Sequence, residues 1–181
     1  AHSYIGTSVA DYLARWPEKY AVDTLSVRGE KWKQADFSGY DAVFHVAGIA
    51  HADVGHVSEE RKAEYYAVNR DLTLAVAEKA KADGVGQFLY MSSAIVYGDS
   101  APIGKRKVIT KDTPAAPANF YGDSKVQAEK GLKKLESDAF RVAVLRPPMI
   151  YGPGSKGNYP TLSKMARKLP LFPKVDNQRS M

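Results

Sequence analysis

Short apolar runs alternate along the chain with longer segments in which apolar residues recur every three or four positions. A continuous apolar run is typical of a strand covered on both faces, and the longer repeat is typical of an amphipathic helix. The pattern predicts strands over residues 20–27, 41–47, 85–91 and 141–145. It predicts helices over residues 5–16, 59–83, 120–135 and 159–168, the first two of which are closed by Pro17 and Gly84.

This alternation predicts an α/β fold, a doubly wound parallel sheet with helices on both faces. A fold of this kind begins with a strand, whereas this chain begins with a helical segment, so we expect the first strand to be missing from the chain. Ligands of such sheets bind at the carboxyl ends of the strands. The sequence places Gly48, Ser93 and Pro148 at three of those ends.

Composition narrows the range of functions. The 181 residues include no Cys, which excludes disulfides, a thiol nucleophile and a Cys-ligated metal, and we expect no metal site. The sequence shows no signal-peptide pattern and no apolar run long enough to span a membrane, so we expect a cytoplasmic protein with no membrane partner. The net charge of +6 permits nucleic-acid binding, but the basic residues are scattered, and we expect no nucleic acid as partner.

The chemistry centres on Tyr121 and Lys125, which are spaced four residues apart and share one face of the predicted helix. A phenol has a reference pKa of about 10, and a nearby ammonium is expected to lower the pKa of Tyr121 and suit it to acid/base work. Such a pair alone is more often a packed Tyr with a solvated Lys. Ser93, at the end of the preceding strand, completes a three-part constellation that seldom arises by chance.

The motifs together resemble one family. They are Ser3-Tyr-Ile-Gly6, Phe44-His-Val-Ala-Gly48, Asn69, Ser92-Ser-Ala-Ile-Val-Tyr-Gly98, Tyr121-Gly-Asp-Ser-Lys125, Arg146-Pro-Pro-Met-Ile-Tyr-Gly-Pro153 and Lys156-Gly-Asn158. Their set and order resemble the extended short-chain dehydrogenase/reductase family, in its nucleotide-sugar epimerase/dehydratase branch. The resemblance implies a Rossmann-type dinucleotide-binding domain over residues 1–150 and the start of a substrate-binding region over residues 151–181.

The resemblance also implies a nicotinamide dinucleotide as cofactor. Ser3 and Gly6 match the second and third positions of the family's glycine-rich turn, although Ser at the second position departs from the pattern. We favour NAD, but Arg28 stands where an acid is expected after the second strand and could hold the 2′-phosphate of NADP. The residues implied in cofactor binding are Ser3, Tyr4, Ile5, Gly6, Arg28, Asp36, Phe37, Val46, Ala47, Gly48, Ser92, Tyr121, Lys125 and Pro148.

For catalysis the resemblance implies that Ser93 bonds the reacting sugar oxygen, that Tyr121 is the acid/base, and that Lys125 bonds the nicotinamide ribose. Its implied substrate is a nucleotide-diphosphate sugar, with His51, Tyr97, Asn158 and Arg179 as candidate substrate-binding residues. We expect His45 to be a buried, hydrogen-bonded strand residue. We expect Ser92, rather than Ser93, to cap the end of the strand.

Several functions stay open at this point. Epimerase and 4-keto-sugar reductase or dehydrogenase are not separable on these residues, whereas a dehydratase is disfavoured because Ala94 and Ile95 stand where the family's additional acids would be. A non-catalytic dinucleotide-binding module is a further alternative, against which Ser93, Tyr121 and Lys125 argue. A homodimer formed through the helices at 59–83 and 120–135 is a possible assembly.

Overall fold

The computed structural model describes residues 3–50, 57–102, 105–155, 158–169 and 171. Three strands are described: β1 (Ala42–His45), β2 (Gln87–Met91) and β3 (Arg141–Leu145). The α-helices are α1 (Tyr4–Leu13), α2 (Glu59–Tyr66), α3 (Thr73–Ala82), α4 (Phe120–Leu135) and α5 (Asn158–Lys168). Short 3-10 helices span Lys31–Gln34 and Ala94–Tyr97, and a π-helix spans Ala67–Leu72.

The three strands form a parallel sheet in the order β1-β2-β3. Pairing continues past the strand ends, because the Ser92 N–H donates to the Leu145 carbonyl at 2.8 Å and the Ala94 N–H donates to the Pro147 carbonyl at 3.0 Å. The predicted α/β class is therefore confirmed. The extended pairing also holds the segments that follow β2 and β3 side by side at one edge of the sheet.

The prediction of a strand over residues 20–27 is wrong. The segment has no regular secondary structure and forms no ladder, and Tyr20, Val22 and Leu25 are 44% to 48% exposed. β-propensity reflects packing against neighbouring strands more than a preference of the backbone itself. Within the described residues, β1 pairs only with β2, so no strand lies beside this segment to complete a ladder.

The predicted helix over residues 59–83 forms, but the π-helix interrupts it between α2 and α3. Such insertions are rare and occur frequently at functional sites. The fully buried Asn69 lies inside this segment, where its amide bonds the backbone of Ile49 and the hydroxyl of Ser124. A regular helical repeat cannot reveal the extra residue in the turn, and the sequence pattern therefore missed it.

Helix α4 begins and ends where local signals place it. Asn119 caps its N-terminus by accepting a hydrogen bond from the Gly122 N–H at 2.9 Å, and Lys133 and Lys134 lie in its last turn. Both features stabilise a helix, the first by satisfying a free N–H and the second by offsetting the helix dipole. The predicted bounds of 120–135 are confirmed.

The core lies between the sheet and the layer formed by α3 and α4. Burial alternates along β2, so that Phe88 and Tyr90 are inaccessible while their neighbours are half-buried. From α4, Ala128 and Leu132 join the same cluster with no exposed surface. Full burial of a side chain such as Leu132 contributes about 2 kcal/mol. The position of α4 relative to the sheet is therefore fixed by apolar packing.

No helix in the described part of the chain is both long enough and apolar enough to cross a lipid bilayer.

Gly98 has a backbone conformation that almost only glycine adopts, with φ 78° and ψ −157°. A Cβ there would lie 2.5 Å from the Ala116 carbonyl oxygen. Gly98→Ala should therefore lower the free energy of unfolding by roughly 2–4 kcal/mol, measured by urea denaturation. Gly39→Ala is the matched control, because an added Cβ there meets nothing within 4 Å. Equal stability of the two variants would contradict the prediction.

Candidate active site

Ser93 and Tyr121 come together at the carboxyl edge of the sheet. Ser93 follows β2 in an extended conformation, and its Oγ accepts a hydrogen bond from the Ile95 N–H at 3.3 Å. Tyr121 lies in the first turn of α4, where its phenol comes close enough to Ser93 for the Ser93 hydroxyl to act on the pKa of Tyr121. Gly122 permits this approach, because a Cβ there would come within 3.0 Å of the Ile95 carbonyl oxygen.

The pKa of Tyr121 is raised, which makes the expected lowering wrong for this structure. Burial of the half-buried phenol is the largest cause of the raised pKa, and the nearby Ser93 hydroxyl, a potential donor to the phenolate, opposes it only in part. Tyr65, whose ring meets that of Tyr121 edge-on at 5.9 Å, adds a smaller upward effect. Tyr121 is accordingly a neutral phenol at pH 7 and a competent proton donor.

Lys125 is buried, with 4% of its surface exposed, and is not a solvated helix residue. Its Nζ donates to the Met91 carbonyl at 3.0 Å and lies 4.8 Å from the centre of the Tyr90 ring. Burial lowers the pKa of Lys125 to about 8, and the charge of Glu129 opposes this shift. The ammonium is therefore held against the end of β2, which explains why its charge does not lower the pKa of Tyr121.

Gly48 leaves a narrow space beside this ammonium. A Cβ at Gly48 would lie 3.0 Å from both the Lys125 Nζ and the Asn69 Oδ1. Asn69 holds the backbone here, because its Oδ1 accepts from the Ile49 N–H at 2.8 Å and its Nδ2 donates to the Ile49 carbonyl at 3.1 Å. The Asn69 Nδ2 also donates to Ser124 Oγ at 3.1 Å, which joins the chain after β1 to α4.

Asn69 entered the sequence analysis only as part of a motif, without a role. Its signal was a polar amide on the helix face that also carries Tyr65 and Leu72. That signal could not identify Ile49 and Ser124 as partners, since they are 20 and 55 residues away in the chain.

His45 is buried, as expected. Its Nε2 lies 3.1 Å from the Thr73 hydroxyl, and 4% of the residue is exposed. Burial, aided by the Lys125 charge, lowers the pKa of His45 to about 3, so the ring is neutral at pH 7. The prediction of a satisfied strand residue is confirmed.

Ser93, and not Ser92, is the capping residue after β2. Ser93 caps the 3-10 helix, whereas the Ser92 hydroxyl donates to Glu129 at 2.5 Å and is 5% exposed. The expectation that Ser92 is the capping residue is wrong, because side chains alternate along an extended segment and Ser92 is turned inward. Its hydroxyl is thus not available to a ligand at the open edge.

A second polar cluster lies behind this edge. Arg146, just after β3, donates from Nη2 and Nε to the two oxygens of Glu129 at 2.5 and 3.1 Å. Its Nη1 donates to the Tyr97 hydroxyl at 2.6 Å. Sequence reasoning gave Glu129 and Arg146 no role, although Glu129 follows Lys125 by four residues on the same helix face.

The N-terminus of α1 lies close to the end of β1. Ser3 caps this helix, its Oγ accepting from the Gly6 N–H at 3.2 Å. A Cβ at Gly6 would meet Val46 Cγ2 at 3.1 Å, so glycine allows close contact between α1 and the chain after β1. The adjoining Tyr4 hydroxyl approaches Gly152, whose φ is 131°. Ile5 is half-buried.

The remaining predicted cofactor residues are more peripheral. Phe37 is 6% exposed within the core, and its N–H donates to Asp83 at 3.0 Å. Asp36 is exposed and accepts from the Ser38 N–H at 2.9 Å. Arg28 and Pro148 are exposed, and Ala47 is half-buried.

Among the predicted substrate residues, Tyr97 belongs to the second polar cluster described above. His51 and Arg179 lie outside the described residues. Asn158 begins α5, but its side chain also lies outside the description. These three assignments stay predictions.

Comparison with known proteins places this arrangement in a family. A family model described as the NAD dependent epimerase/dehydratase family matches residues 1–173. The chain belongs to this family. The resemblance inferred from the motifs is thus confirmed.

Three relatives illustrate the similarity. A UDP-glucose 4-epimerase of Vibrio cholerae is 31% identical over 201 residues, an alignment covering 98% of this chain and 59% of the relative. The structure of Bordetella bronchiseptica WbmG in complex with NAD is 32% identical, with 70% of this chain and 37% of that chain covered and a TM-score of 0.54. MoeE5 in complex with UDP-glucose and NAD shares the fold at 24% identity and a TM-score of 0.68, with 91% and 57% covered. The chain thus spans less than two thirds of the length of these relatives.

Replacing Asn69 should destabilise the fold through the hydrogen bonds that it makes. Asn69→Ala leaves the partly buried Ile49 backbone groups and the buried Ser124 hydroxyl without this partner, which should cost roughly 2–4 kcal/mol of unfolding free energy. The measurement is urea denaturation, with Gln34→Ala at an exposed position as control. A loss no larger than that of the control would show that the amide does not hold this segment.

Proposed function

We propose that this chain carries the dinucleotide site and catalytic residues of a nucleotide-sugar epimerase, which oxidises and re-reduces a sugar carbon with a nicotinamide cofactor. The observation that carries the proposal is the approach of Tyr121 to Ser93 at the carboxyl edge of a parallel sheet, with the Lys125 ammonium buried one turn along α4. Family membership and the Vibrio cholerae relative support this choice.

The residues present fit a dinucleotide. Gly48 leaves a space beside Lys125 that a Cβ would fill. Gly6 keeps the first turn of α1 free of a side chain next to Val46. Backbone N–H groups at a helix N-terminus bind phosphate well. We assign Gly6 and its turn to the pyrophosphate, and Gly48 and Lys125 to the nicotinamide half. When bound, the nicotinamide accepts and returns hydride.

NAD is the proposed form of the cofactor, in line with the description of the family and with the NAD complex of WbmG. The exposed Arg28 leaves room for NADP, since a guanidinium pairs well with a phosphate. Asp36, Phe37, Ala47 and Pro148 keep their predicted places along the cofactor. Ser92 does so through its backbone alone, because its hydroxyl is used by Glu129.

Each catalytic residue has a distinct proposed task. The Ser93 hydroxyl, which lies close to Tyr121, orients the reacting oxygen of the sugar next to the phenol. Tyr121 gives its proton to a ketone oxygen or takes the proton of an alcohol. Lys125, anchored by the Met91 carbonyl, has two further N–H donors with which to bond a ribose hydroxyl.

The substrate proposed is a nucleotide-diphosphate sugar. Tyr97 accepts a hydrogen bond from Arg146, which leaves its own proton to donate to a sugar group. His51, Asn158 and Arg179 retain their proposed roles in substrate binding. We further propose that residues 1–150 form the dinucleotide-binding domain and residues 151–181 begin the substrate region. Cytoplasmic location and a homodimer through α2, α3 and α4 also stay predictions.

A 4-keto-sugar reductase of the same family is the second candidate. The observation in its favour is the raised pKa of Tyr121, because a neutral phenol is already in the form that donates a proton to a ketone. A reductase would consume free NAD(P)H in the presence of a keto-sugar nucleotide. An epimerase would instead interconvert two sugar nucleotides with no net consumption of the cofactor.

Tyr121→Phe tests the catalytic assignment in the full-length protein. Loss of the acid/base should lower kcat by about 10²–10⁴-fold, with binding of the dinucleotide retained. The assay follows interconversion of sugar nucleotides, and the matched control is Tyr12→Phe, at a residue that is 54% exposed. Unchanged turnover in Tyr121→Phe would refute the assignment. A wild type that binds dinucleotide but turns over no sugar nucleotide would support a non-catalytic module.

A further inference from the structure

Glu129 is a buried carboxylate that the proposed mechanism does not use. Its side chain is 9% exposed and bonded at both oxygens, by Arg146 Nη2 at 2.5 Å on one and by Arg146 Nε at 3.1 Å and the Ser92 hydroxyl at 2.5 Å on the other. A buried ion pair need not stabilise a fold, since desolvation opposes the attraction between the charges. The location of the Glu129–Arg146 pair can therefore say more about its role than its contribution to stability does.

This cluster ties together the elements that carry the candidate active site. Ser92 directly precedes Ser93 at the end of β2, and Arg146 directly follows β3. The third guanidinium nitrogen of Arg146, Nη1, donates to the Tyr97 hydroxyl, and the guanidinium lies 5.1 Å from the centre of that ring. One carboxylate on α4 thus fixes two strand ends and, through Arg146, the 3-10 helix that Ser93 caps.

Glu129 also continues the stripe that Tyr121 and Lys125 begin, because residues four apart lie on one face of a helix. The groups that interact with the Lys125 ammonium come from three elements. They are His45 on β1, whose pKa the Lys125 charge helps to lower, the Tyr90 ring and Met91 carbonyl on β2, and Glu129 on α4. Glu129 supplies the negative charge in this set.

We propose that Glu129 is a positioning residue of the candidate active site, whose carboxylate ties the ends of β2 and β3 to α4 and serves as counter-charge to the buried Lys125 ammonium. The inference deepens the proposed function and rests on it for its catalytic consequence. The effect of Glu129 on Lys125 and its tie between the strand ends and α4 can be tested whether or not the protein turns over a substrate.

The direct test is the titration of Lys125, followed by NMR in full-length protein labelled with carbon-13 at the lysine Cε. Lys125→Arg assigns the signal. The wild-type midpoint is expected near pH 8, and Glu129→Gln should move it down by about one pH unit, because the neutral amide no longer favours the ammonium. Glu129→Asp keeps the charge, so the Lys125 midpoint in this variant should lie close to the wild-type value.

Glu136→Gln is the matched control, with the same substitution just after the same helix, at a residue paired with Lys133. It should leave the Lys125 midpoint unchanged. An unchanged midpoint in Glu129→Gln would overturn the inference. If Glu129→Gln does not fold, Glu129→Asp decides: its carboxylate is one methylene shorter and should lower kcat, so a kcat equal to that of the wild type would overturn the positioning role.

Kinetics supply the second measurement. Glu129→Gln should lower kcat by about 10–100-fold with little change in KM, because misplacement of the reacting groups acts on the chemical step. A wild type with no turnover, together with a shifted Lys125 midpoint, would refute the proposed function and support the electrostatic role of Glu129. Normal turnover and an unshifted midpoint in Glu129→Gln would refute this inference alone.

Discussion

Burial of the Lys125 ammonium against the end of the sheet is the interaction on which the arrangement of this molecule depends. A buried ammonium is costly unless acceptors and a counter-charge surround it. The Met91 carbonyl, the Tyr90 ring and Glu129 meet that requirement here. Gly48 accommodates the ammonium on the remaining side, because any Cβ at that position would lie within 3.0 Å of Nζ.

Helix α4 connects the buried Lys125 ammonium to the candidate active site at the carboxyl edge of the sheet. Three residues on one of its faces, Tyr121, Lys125 and Glu129, have three different surroundings: a hydroxyl of the strand end, a backbone carbonyl, and a guanidinium. Because their spacing is set by helix geometry, a shift of α4 along the sheet would disturb all three at once. Apolar packing of Ala128 and Leu132 against the sheet opposes such a shift.

Features specified by local sequence were predictable. Helix α4 and strand β3 have their predicted bounds, since a cap at Asn119 and an uninterrupted apolar run mark them. The segment over residues 20–27 was mispredicted because a strand depends on a neighbour that local pattern does not contain. The π-helix at Asn69 was missed for a related reason: its polar partners are distant in the chain.

In the candidate site too, local sequence indicates some features, whereas others depend on residues that are distant in the chain. Pairing of Ser93 with Tyr121 was predictable from motifs that place a strand end before a helix. The pKa direction of Tyr121 was not, because spacing identifies the neighbouring ammonium but not the burial that outweighs it. Nor could sequence alone show that Lys125 is bonded to Met91 or that Ser92 is turned towards Glu129.

In the proposed function, this edge of the sheet holds a nicotinamide dinucleotide. That binding is tested by mass spectrometry of the small molecules released when the purified full-length protein is denatured, with calorimetric titration of added NAD and NADP alongside. We expect a nicotinamide dinucleotide to be released or, when added, bound. A protein that neither releases nor binds either dinucleotide would contradict it.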